Sequence, residues 1–70
     1  MVASFDGFYT AHFGALVVQL RAALGGDLAE AQDVVQESFC RAWDNWDRLT
    51  GYDDPVAWVR RVAWNIAFSR

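Results

Sequence analysis

Asp33-Val34-Val35-Gln36-Glu37-Ser38-Phe39-Cys40-Arg41-Ala42-Trp43 lies near the middle of the chain. Val35, Phe39 and Ala42 recur at four- and three-residue steps, the period of a helix with one buried side. The same step adds Leu28 and Ala31 before the stretch and Trp46 and Leu49 after it. One helix from Leu28 to Leu49 is therefore expected. Its opposite face carries Glu30, Asp33, Glu37, Arg41, Asp44 and Arg48. On periodicity alone, that face is a solvated one. Trp43 disturbs this reading, because it lies off the Phe39/Ala42/Trp46 stripe and beside Cys40 and Asp44. A half-exposed Trp flanked by carboxylates and an amide has the make-up of an interface anchor with a polar rim.

Upstream, Phe5, Phe8, Tyr9, His12, Phe13, Leu16, Leu20 and Leu24 repeat at helical spacing. Ser4 is placed to cap that helix, and Gly25-Gly26 to close it, since Gly tolerates the left-handed C-terminal turn. Asp27 with Glu30 three residues on is a variant of the capping box that opens the central helix. Downstream, Thr50-Gly51-Tyr52-Asp53 forms a connection. Asp54-Pro55 then starts a third helix, with Asp as cap and Pro at the first helical position. Val59, Val62, Ala63 and Ile66 make its inward stripe. No strand pattern, internal repeat, linker or low-complexity segment interrupts this order. The expectation is an all-α, three-helix bundle occupying residues 1–70 as one domain. Phe8, Leu16, Leu20, Val35, Phe39, Ala42, Trp46, Val59, Val62 and Ile66 should share its core.

The chain has 70 residues, and a domain this small buries only roughly 60% of its unfolded surface. An apolar fraction of 54% suffices for a core, but four Trp exceed what three helices readily enclose. Some aromatic surface should remain for a partner. Cys40 is the single cysteine, which excludes an internal disulfide and fits a reducing cytosol. No apolar run approaches the ~20 residues that cross a bilayer. No basic segment precedes an apolar one at the N-terminus, as a signal peptide requires. A soluble cytoplasmic protein without membrane contact is expected.

Nine acidic residues against six arginines give a net charge of −3, which taken alone argues against nucleic-acid binding. The distribution says otherwise. Arg60, Arg61 and Arg70 fall in the last eleven residues, interleaved with Trp58, Trp64, Asn65 and Phe68. Aromatics that stack on bases, beside arginines that take phosphates, are the chemistry of single-strand binding. Asn reads a base edge through paired hydrogen bonds. Trp58 reads better as a core residue flanked by snorkelling arginines, whereas Trp64 lies off the Val59/Ala63/Ile66 stripe and should be exposed.

The Asp33–Trp43 stretch resembles the polymerase-binding helix of a bacterial sigma factor. Ala57-Trp58-Val59-Arg60-Arg61-Val62-Ala63-Trp64-Asn65-Ile66-Ala67 resembles the promoter-reading helix of the same domain. The order and separation of the two segments match the extracytoplasmic-function sigma factors, domain 2, from about Phe5 to the last residue. The resemblance implies docking on a coiled coil of the largest subunit of core RNA polymerase. Asp33, Gln36 and Glu37 would accept hydrogen bonds and pair with basic groups there, and Cys40 and Trp43 would add apolar contact. It also implies that the third helix and the loop before it open the promoter minus-ten element and capture a flipped base of the single strand. That role falls on Leu49, Thr50, Gly51, Tyr52 and Asp53, with Asn65 near the base and Arg60 and Arg61 on the backbone; Trp64 is counted among the DNA-binding residues. Family members continue past the position of Arg70 with a basic stretch, a linker and a second, helix-turn-helix domain. The chain therefore reads as a piece of a longer protein. An anti-sigma protein is a further implied partner.

Nothing points to catalysis. The lone His12 sits near an apolar stripe, no second His or Cys pair offers metal geometry, and no Gly-rich phosphate loop is present. No cofactor is expected. The rival reading is a helical interaction module that binds an anti-sigma protein or self-associates without reading DNA.

Overall fold

The computed structural model describes residues 4–69. Those residues form α1 (Phe5–Ala23), α2 (Leu28–Asp44), α3 (Trp46–Leu49) and α4 (Pro55–Phe68), with no strand among them. The all-α expectation holds: three long helices make the bundle, and α3 is one added turn between the second and third.

Local chemistry sets each boundary. The Ser4 hydroxyl accepts from the Gly7 amide at 3.0 Å and starts α1. At its end, Gly25 and Gly26 take φ of 83° and 105°, a region that costs a side chain dearly. The Gly26 amide then bonds the Arg21 carbonyl at 2.9 Å and the Gly25 amide bonds the Ala22 carbonyl, which is a Schellman closure. Asp27 accepts from the Glu30 amide at 3.0 Å to open α2. Asp54 accepts from the Ala57 amide at 3.2 Å to open α4, with Pro55 in its first turn.

One expected element is divided. The central helix does not run on to Leu49 but breaks at Asn45, which takes φ −115° and ψ 15°. The Asn45 carboxamide stabilises the break from both sides. It donates to the Arg41 carbonyl at 2.8 Å and accepts from Arg48 at 2.7 Å. Asn competes with the helix ladder through such local bonds. The turn that follows sends Leu49 into the core, where it is fully buried.

The core is centred on α2, which packs against α1 on one flank and α4 on the other. Phe39 meets the rings of Phe5, Phe8, Tyr9 and Phe13 from α1. Phe8, Leu16, Leu20, Val35, Ala42, Val59 and Ile66 are buried as expected, while Trp46 and Val62 are half-buried at its margin. Burial on two flanks also takes in Val34 and Ser38, which a single stripe leaves out. The Ser38 hydroxyl satisfies itself on the Val34 carbonyl at 2.8 Å. Leu28, expected to be inward, is exposed, since it precedes Ala31, the first core residue of α2.

Candidate functional site

Two surfaces of different chemistry use the flanks of α2. On the α1 side, Phe5, Tyr9, Gln36, Phe39, Cys40, Trp43 and Asp44 line a groove of about 270 Å³. Its floor is aromatic and its rim polar. Trp43 is 62% exposed, yet its ring is held edge-on to Phe5 with centroids 5.1 Å apart. Tyr9 stacks on Phe13 at 4.8 Å, and its hydroxyl donates to Gln36 Oε1 at 2.9 Å. That bond orients the amide on the groove wall. Cys40 is an exposed free thiol beside them.

The five residues expected to face polymerase are all exposed, but they do not share one site. Gln36, Cys40 and Trp43 line the α1-side groove. Glu37 turns toward α4 and pairs with Arg41 at 3.0 Å, and Asp33 stands on the outer face between the grooves. Periodicity alone left Phe5 and Tyr9 in the core stripe of α1; the structure makes them groove walls. The surplus of aromatics was the signal that some of them had surface work.

The residues expected to face promoter DNA are also distributed. Leu49 is fully buried; it anchors the loop, and its side chain presents nothing to a ligand. The Thr50 hydroxyl donates to the Asp47 carbonyl at 2.9 Å, while Gly51 and Asp53 are exposed. Tyr52, Asp54, Ala57, Trp58 and Arg61 surround a second groove of about 190 Å³. Two aromatic walls with one acid and one guanidinium suit a base and its phosphate. Arg61 is exposed and makes no hydrogen bond or ion pair with the described residues, so its charge is available. Arg60 is half-buried and donates to Gln19 Oε1 of α1 at 3.2 Å. Trp64, expected to be exposed, is half-buried against the core, because α1 covers the flank that the α4 stripe leaves open. Asn65 is exposed on the α2 side, in a third groove with Glu37, Arg41, Ile66 and Ser69. Arg70 lies outside the described residues.

His12 is half-buried, its ring 5.1 Å from Phe8, as a packing residue is. No group of His, Cys, Asp and Glu among the described residues is placed to hold a metal ion. No described helix is long and apolar enough to cross a membrane.

The bundle thus offers an aromatic groove beside an acidic face, and a basic–aromatic helix behind a short loop. The family model for sigma-70 region 2 matches residues 9–70, and the chain belongs to that family. It is thereby a domain of an RNA polymerase sigma factor, whose partners are core polymerase and promoter DNA. No curated protein and no solved structure matches the chain.

Proposed function

We propose that this chain is domain 2 of an extracytoplasmic-function sigma factor of a bacterium. It docks on a coiled coil of the largest polymerase subunit and opens the promoter minus-ten element in the cytoplasm. The observation that carries this reading is Trp43, a largely exposed indole held on Phe5, with Asp44 in the same groove and Asp33 and Glu37 exposed nearer the start of the same helix. Such an anchor with an acidic rim suits an apolar knob flanked by Arg or Lys. A carboxylate–Arg fork then supplies orientation as well as energy.

On the promoter side, the unpaired Arg61 takes a phosphate, and the Tyr52/Trp58 groove accepts the extruded base. Extrusion costs a few kcal/mol, which a stacking pocket recovers. Asn65 reads a neighbouring base edge from its own groove. Arg60, tied to Gln19, contributes charge from the α1 side. An anti-sigma protein would act by covering either surface.

Transcription by core polymerase supplied with the full-length protein tests the reading. Promoter-dependent transcripts are expected, and Trp43→Ala should remove them by preventing assembly. Transcription that continues undiminished with Trp43→Ala places the polymerase contact elsewhere.

A further inference from the structure

Arg41 has no part in the function argued so far, yet it stands where the two surfaces meet. The groove of about 370 Å³ between α2 and α4 is lined by Glu37, Arg41, Asn65, Ile66 and Ser69. It places a carboxylate assigned to polymerase beside an amide assigned to the promoter. In the same groove, the Arg41 guanidinium lies 3.0 Å from Glu37 Oε2, with side chains 56% and 45% exposed. Among the described residues, Arg41 is the one arginine paired with a carboxylate. Arg21, Arg48 and Arg60 bond neutral oxygens.

An exposed pair at this helical spacing shifts an equilibrium only about twofold, so a better partner displaces it easily. A phosphate is such a partner, because it meets the guanidinium fork with two oxygens. In the free protein Glu37 opposes that exchange twice: it occupies Arg41, and its own charge repels the phosphate. When a basic group of the partner draws Glu37 away, both effects weaken and the guanidinium is left in the groove it shares with Asn65.

We propose that Arg41 is a further promoter-contacting residue, a clamp for the sugar-phosphate backbone that Glu37 masks in the free protein and that polymerase docking releases by engaging Glu37. The proposal rests on the assignment of Glu37 to polymerase and of α4 to the promoter. It links the two: binding of core enzyme raises the affinity of the same domain for DNA.

The test has two arms, and since Arg41 is exposed its replacement leaves the fold in place, which circular dichroism checks. In the first arm, the full-length protein is assembled with core polymerase and promoter binding is titrated against salt. Arg41→Ala should weaken every promoter severalfold and lower the log–log salt slope by about one. An unchanged slope for Arg41→Ala, with a lowered slope for Arg61→Ala, overturns the proposal and leaves the promoter reading standing. Unchanged slopes for both overturn the promoter reading as well. In the second arm, the 70-residue chain without polymerase is titrated at low salt with labelled single-stranded DNA of mixed sequence. Glu37→Gln should raise affinity, and should raise it about twofold less on an Arg41→Ala background. No gain, or the same gain on both backgrounds, means that Glu37 masks nothing and overturns the release of Arg41 by polymerase.

Discussion

The ring of Phe5 stands edge-on to the ring of Trp43, at 5.1 Å between centroids and 69° between planes. Phe5 belongs to the first turn of α1 and Trp43 to the last turn of α2. The contact therefore ties the α1 and α2 walls together at one end of the aromatic groove and holds an indole whose surface is mostly in water. An aromatic pair in this geometry is worth ~0.5–1.5 kcal/mol beyond its area. That suffices to pre-organise a docking anchor before any partner arrives.

Trp43 should accordingly separate binding from stability. Trp43→Ala is expected to cost ~2 kcal/mol or more of core-polymerase affinity, as a central aromatic anchor does. Because Trp43 is 62% exposed, the stability loss should stay near the ~0.5–1.5 kcal/mol of its Phe5 contact, a fall of only several degrees in melting temperature. A thermal melt and a fluorescence titration with core enzyme, run on the same preparation, check both halves.

The acidic face gives a second prediction. Asp33→Arg with Glu37→Arg should abolish pull-down by core polymerase while helical content stays intact, since like charges across an interface are heavily penalised. Both side chains are exposed, and the exposed Glu37–Arg41 pair is worth only about 0.3–0.5 kcal/mol, so the helical content should hold. Retained binding would move the interface off this face.

Phe39 is the stability test. It is fully buried and touches four rings of α1. Phe39→Ala is expected to cost ~3–5 kcal/mol, which a domain of this size does not survive. A melt within a degree or two of the parent chain would show that the cluster collapses around the cavity without loss.

Asn45 should matter more than its exposure suggests. Its side chain makes two hydrogen bonds across the α2–α3 break, each worth roughly 0.5–1.5 kcal/mol. Asn45→Ala should therefore destabilise by about 1–3 kcal/mol in a denaturant titration. Asn45→Asp should recover the half that comes from Arg48, because a carboxylate still accepts that bond. Equal losses for the two variants would assign the effect to the backbone turn alone.

Arg61 and Asn65 sit in separate grooves, so their variants should fail differently. Arg61→Ala should weaken all promoters alike and reduce the salt dependence by about one charge. Asn65→Ala should change the preference among minus-ten sequences by roughly 1–3 kcal/mol at one base. Uniform losses across minus-ten variants for Asn65→Ala would mean that it positions α4 and reads nothing.

What the sequence by itself determined was local. Ser4, Gly25-Gly26, Asp27 and Asp54-Pro55 mark the ends of the long helices because capping and positive φ depend on a few neighbouring atoms. Phe39, Val35, Leu16 and Val59 follow from helical period, since an apolar side on each helix must be covered. What only the tertiary structure decided was how many flanks each helix has to cover. With α1 and α4 on both sides of α2, Val34 and Ser38 are buried and Trp64 is drawn half inward. The break at Asn45 was hidden because the apolar step runs through it unchanged, although the side-chain bonds that stabilise the turn are local, to Arg41 and Arg48. The same packing divides the candidate site. Gln36 and Glu37 are neighbours in the chain, but successive residues of a helix point about 100° apart. With a helix on each flank of α2, that angle sends Gln36 to Tyr9 and Glu37 to the groove shared with Asn65.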